Sequence, residues 1–132
     1  MTIFATVLIF AVILSVVVLS HEFGHLLVAK RFGIRVYELA LGIGPRLWFF
    51  ARNKTIYALN LFPVLGYVRI AGLDDEGEEK DPCLPQESFN AKSLLQRFLT
   101  ILCGPLSNII LGFIIFALIF SCFGRPQGVS NE

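Results

Sequence analysis

His21-Glu22-Phe23-Gly24-His25 is the stretch whose residue types and spacing could do chemistry. On a helix, side chains four residues apart lie one above the other on one face, so both imidazoles can reach a single ion. Glu22 lies about 100° round the helix from His21, close enough to hold a metal-bound water. Two His ligands, a Glu as general base and an open coordination position form the donor set of a zinc hydrolase. Neutral imidazole suits zinc, which lowers the pKa of its bound water to about 7. The setting sharpens this reading. Residues 1–20 carry no charge, and a charged side chain at the middle of a membrane helix costs roughly 2.5–3.5 kcal/mol. A lone His or Glu near a helix end is usually interfacial and idle; two His at ligand spacing around a Glu form a different pattern. Gly24 suits close helix packing or access to the site, or is a tolerated membrane-helix glycine.

The elements that must hold this set are apolar. The chain has 132 residues, 55% of them hydrophobic, and a mean hydropathy of +0.72, too apolar for an ordinary soluble domain. A net charge of +1 with basic residues interleaved among apolar ones argues against nucleic acid as a partner. Cys83, Cys103 and Cys122 show neither metal spacing nor obvious pairing and read as small buried or lipid-facing residues. A first helix is expected from about Ile3 to about Arg31, longer than the ~20 residues needed to span a bilayer. The first basic residue, Lys30, follows the apolar run, so a retained helix is expected rather than a cleaved leader. Gly33 ends it.

The period then changes. Arg35 to Leu41, Arg46 to Ala51, Thr55 to Phe62 and Tyr67 to Ala71 are rich in β-branched and aromatic residues, with turn compositions between them. Three or four short, mostly antiparallel strands are expected. Leu47-Trp48-Phe49-Phe50 makes them too apolar for a free sheet in water, so the sheet should lie against or dip into the membrane. The alternative is the core-facing part of a small cytosolic domain. Residues 74–82 are acidic with Gly and Pro and read as a solvated loop. Asp74, Asp75 and Asp81 are poor metal ligands there because nothing apolar holds them. Ser88 to Arg97 reads as an amphipathic lead-in to a second span, Phe98 to Phe123, uncharged throughout. Within that span, Pro105 frees a carbonyl. Asn108 is either a packing hydrogen bond between helices or a polar group facing the active site.

The fold class expected is an α-helical integral membrane protein: two transmembrane helices joined by a cytoplasmic, membrane-associated β-sheet or hairpin. The segments are 1–32, 33–73, 74–97, 98–123 and an external tail, 124–132. All basic residues but Arg125 lie between the spans, so the positive-inside rule puts that region in the cytoplasm and both termini outside. The zinc site then opens near the cytoplasmic face.

Four pieces carry a family resemblance: H-E-F-G-H (His21 to His25) followed by L-L-V-A-K-R-F-G, then G-I-G-P (Gly42 to Pro45), P-V-L-G-Y-V-R-I-A-G (Pro63 to Gly72) and G-P-L-S-N (Gly104 to Asn108). In that order, over nearly the whole chain, the sequence resembles the amino-terminal part of the site-2 protease family, intramembrane zinc metalloproteases of the bacterial sigma-E-regulator type. The resemblance implies one Zn2+ per active site with His21 and His25 as ligands and Glu22 as the catalytic residue. It implies substrates that are single-span membrane proteins, often already cut once externally, and a bacterial inner membrane. It also implies that Tyr57 to Gly72, including Gly66 and Tyr67, is a membrane-re-entrant hairpin guiding substrate, and that Pro105 and Asn108 lie near the active site. The family takes its third zinc ligand from an Asp in a Leu-Asp-Gly-type motif on a later span, after PDZ domains. The present sequence has no such motif, so these residues are expected to be inactive alone. A membrane-embedded binding module or pseudoenzyme that holds transmembrane helices is the alternative. A metal-ion transporter is weaker, because two spans are few for a pore.

Overall fold

A computed structural model describes residues 2–73 and 84–124. The acidic stretch 74–83, with Cys83, and the tail from Arg125 lie outside the described residues. Helix α1 runs Ile3–Arg31. Thr2 caps its start, its hydroxyl accepting from the Ala5 N–H. Gly33 stops it with φ +65, a left-handed conformation open to glycine, while its N–H bonds back to the Lys30 carbonyl. Helix α2 runs Leu94–Phe123, opened by a capping box between Ser93 and Gln96. The amphipathic lead-in read over residues 88–97 is divided: Phe89–Ala91 is a 3-10 turn and α2 begins only after Ser93. Phe89 is drawn into the core while Leu94, Leu95 and Phe98 stay exposed, so no continuous apolar face forms before the span.

Each helix is about 43–45 Å long at 1.5 Å per residue, more than the ~30 Å of bilayer hydrocarbon. Both are apolar enough to cross a membrane, and none of the described residues buries their most apolar windows. Many of their large apolar side chains, from Ile3 to Leu27 on α1 and from Leu94 to Phe123 on α2, are exposed. An apolar surface of that extent needs a cover other than water.

In place of the three or four short strands expected between the helices there are two long ones, β1 (Val36–Arg52) and β2 (Thr55–Ile70), joined by Asn53 and Lys54, both at positive φ. They pair antiparallel. Glu38 to Leu41 has partners on both sides, Arg69 to Gly66 on one and Ile56 to Leu59 on the other, so the hairpin folds on itself into a sheet four segments wide. The expected turns at Gly42-Ile43-Gly44-Pro45 and Pro63-Val64-Leu65-Gly66 are bends inside the strands. Gly42 sits at φ +91, and a Cβ there would fall 2.7 Å from the Phe62 carbonyl oxygen, so only glycine allows the bend.

The sheet lies along α1. Near its bend the Ser15 hydroxyl donates to the Pro63 carbonyl at 2.6 Å; near the turn the Lys30 ammonium donates to the Tyr57 hydroxyl at 2.9 Å. Those anchors are 15 residues apart on the helix, about 22 Å. The bend therefore reaches back alongside the apolar half of α1. The buried core sits at the opposite end, where Leu26, Ala29, Ile34, Val36, Leu39 and Ile70 meet Phe89. Glu38 is 4% exposed and is paired with Arg46 at 2.5 Å and Arg69 at 3.7 Å. A carboxylate this deep needs such partners.

Candidate active site

His21 and His25 both face α2. Their rings meet edge to face with centroids 4.9 Å apart, and their Nε2 atoms are 3.3 Å apart. The Thr100 carbonyl of α2 lies 2.8 Å from His25 Nδ1. A carbonyl only accepts, so Nδ1 carries the proton and donates, which leaves the Nε2 lone pair bare. This is the support that metal-ligating imidazoles ordinarily have.

Gly104 closes the site from α2. A Cβ on it would collide with His25 Nε2 and stand 2.9 Å from His21 Nε2. The missing side chain thus leaves room beside both nitrogens. Two nitrogens bound at about 2.05 Å to one tetrahedral ion stand about 3.3 Å apart. The donor pair therefore fits zinc in separation and in the cradle beside it, and His25 also in tautomer. Among the described residues no group of three His, Cys, Asp or Glu comes together, so they supply two of the three protein ligands usual in a catalytic zinc site.

The helices can approach this closely because the crossing is glycine on both sides. A Cβ at Gly24 would run into the Cys103 carbonyl, just as one at Gly104 would meet the imidazoles. Ser107 ties the crossing by donating to the Ser20 carbonyl at 2.6 Å. Glu22 points to another neighbour, β2: a Cβ at Gly66 would lie 2.8 Å from Val18 Cγ1 and 3.5 Å from Glu22 Cγ. The hairpin thus backs directly onto the candidate base.

The sequence profile of peptidase family M50 matches residues 9–129. The chain belongs to peptidase family M50. This is the site-2 protease family, whose members are membrane-integral. The chain is 54% identical over 71 residues, 54% of its length, to the zinc metalloprotease RasP of Shouchella clausii, covering 17% of that protein. It is 38% identical over 112 residues, 84% of its length, to the protease RseP of Yersinia pestis, covering 24% of that protein. A Thermotoga maritima protein is 44% identical over 108 residues, 81% of this chain and 21% of its own length. The chain thus spans about a fifth of the length of these curated M50 relatives.

The other residues singled out in this M50 chain fall in different places. Pro105 lies inside α2 next to Gly104, where its ring removes the hydrogen bond that the Ile101 carbonyl would otherwise accept. Asn108 is one turn beyond Gly104, and its buried Oδ1 has no hydrogen-bond partner among the described residues. Gly66 lies beside Glu22, but the Tyr67 hydroxyl turns away to Glu38 at 3.2 Å. Burial, then the Glu38 carboxylate beside it, push the Tyr67 phenol up, which keeps it a donor to that carboxylate. Thr100 was not legible in the sequence, because what it contributes is a backbone oxygen. Glu38 had a signal, a lone acid in an apolar strand with Arg46 and Arg69 on either side of the bends.

Proposed function

We propose that this chain carries two zinc ligands, His21 and His25, and the general base, Glu22, of an intramembrane metalloendopeptidase that cuts single-span membrane proteins. The observation that carries the reading is the pair of Nε2 atoms 3.3 Å apart against the side-chain-free Gly104. The names of the relatives RasP and RseP support zinc and proteolysis. Zinc, when bound, supplies Lewis-acid polarisation of the scissile carbonyl and lowers the pKa of water. The chain's own residues do the rest. His25, held by Thr100, and His21 present fixed nitrogens. Glu22 takes the proton from the attacking water and returns it to the leaving amine. The hairpin, with Gly66 beside Glu22, offers a strand edge to which an unwound substrate segment can add by β-augmentation. The described residues supply no third ligand, and no Leu-Asp-Gly-type motif occurs in the sequence, so on this reading these 132 residues alone are inactive. A second reading, a module that binds transmembrane helices without cutting them, is favoured only by the absence of a third ligand among the described residues.

Zinc content tests the assignment. His21→Ala should lose most bound zinc in purified protein, and equal metal per chain in wild type and variant would sink it. Orientation has its own test. Ten of the eleven basic residues fall from Lys30 to Arg97, in the last turn of α1, the first turns of α2 and the chain that joins them, which puts that region in the cytoplasm and both termini outside, at the bacterial inner membrane. A single cysteine at position 78 should resist an impermeant thiol reagent on intact cells; labelling from outside contradicts this orientation.

A further inference from the structure

Where α1 ends and the hairpin turns, the surface opens into a cleft of about 250 Å³ whose walls include Lys30, Arg35, Lys54, Glu87, Gly33 and Thr55. Three segments distant in sequence converge there: the last turn of α1 with the start of β1, the 53–54 turn, and the 85–87 turn. Lys92 borders it too, with its Nζ 3.8 Å from where a Cβ on Gly33 would stand. We propose that this cleft binds the phosphate diester of an anionic phospholipid headgroup.

The charge balance favours an anion. Among the described residues, three cationic side chains line the cleft against one carboxylate, Glu87. Lys30 spends one of its three N–H donors on the Tyr57 hydroxyl and stands over the Tyr57 ring, which aims the ammonium and leaves two donors. Lys54 sits at φ +61 in a tight turn where glycine is the unstrained choice. That conformation costs energy, yet it places a lysine, rather than no side chain, at the rim. The position favours a lipid over a soluble anion. The cleft lies at the end of an apolar helix long enough to span, and the strand entering the turn carries Trp48, Phe49 and Phe50 exposed. A headgroup in the cleft keeps its acyl chains beside that surface. Basic pockets on the cytoplasmic side of membrane proteins are where anionic headgroups are held.

The inference rests on α1 crossing the bilayer and not on hydrolysis. The test uses the whole chain in phosphatidylcholine nanodiscs doped with spin-labelled phosphatidylglycerol or spin-labelled phosphatidylcholine, reading the motionally restricted fraction of each. Wild type should restrict phosphatidylglycerol preferentially, and Lys54→Gln and Lys30→Gln should each cut that preference about fivefold. Arg31→Gln and Arg52→Gln remove the same charge without touching the cleft and should leave it intact. Equal loss in both pairs means a diffuse surface potential and overturns the site. So does a wild type with no preference. Loss of the preference to millimolar inorganic phosphate reassigns the cleft to a soluble anion and overturns the lipid. If Lys30→Gln fails to fold, Lys54→Gln on the exposed turn decides alone. A chain that washes off membranes in carbonate overturns the membrane-spanning reading as well, which separates that failure from failure of the cleft.

Discussion

Glu22→Gln is expected to lower cleavage of a single-span reporter by about 10²–10⁴-fold, the usual contribution of a general base, with bound zinc unchanged. The variant keeps the size and shape of the side chain, so its place beside Gly66 persists. What it loses is the capacity to take a proton. The two imidazoles meet α2 while Glu22 meets β2, so the substitution leaves the His21–His25 spacing and the Thr100 bond intact. Zinc analysis and single-turnover cleavage in the complete protein give the two readouts. Zinc lost in proportion to activity would mean that Glu22 is a ligand rather than a base. Cleavage at the wild-type rate would remove it from the chemistry.

Gly104→Ala is expected to be nearly as damaging through the metal. One methyl group at that position collides with His25 Nε2 and crowds His21 Nε2. The clash cannot be relieved locally, because Gly24 already holds the two helices at contact through the Cys103 carbonyl. Either the imidazoles rotate, breaking the His25–Thr100 bond, or the helices separate. In both cases the donor pair leaves the geometry that one ion requires, and misplacement by ~1 Å costs about a hundredfold in rate. Zinc content should fall with activity, unlike in Glu22→Gln. Gly112→Ala, on the same helix with nothing within 4 Å of the new methyl, is the control and should behave as wild type. Full zinc in Gly104→Ala would show that the space beside the imidazoles is not where the metal goes.

The local parts of this architecture were written in the sequence because they depend on neighbours in the chain. The ends of α1 follow from Thr2 and Gly33, and the two apolar runs are long enough to span whatever packs beside them. The four-residue spacing of His21 and His25 puts them on one face by helix geometry alone. The strands were harder. Gly42, Gly44 and Pro63 read as turns because their composition is that of turns, yet the pairing of Glu38 to Leu41 on both sides carries the strands through those positions as bends. That pairing joins residues far apart in sequence, which no local pattern encodes. The same limit governs the site. The tautomer of His25 is set by a backbone oxygen 75 residues away. The space beside the imidazoles is a glycine on the other helix. Tyr67 and Gly66 are adjacent in sequence, but alternation along a strand sends them to opposite faces, one to Glu38 and the other to Glu22. Spacing along the helix thus determined which side chains could meet a metal; the crossing of α1 with α2 and the fold of the hairpin decided their tautomer, their room and their neighbours, because those depend on contacts that form only when the chain closes on itself.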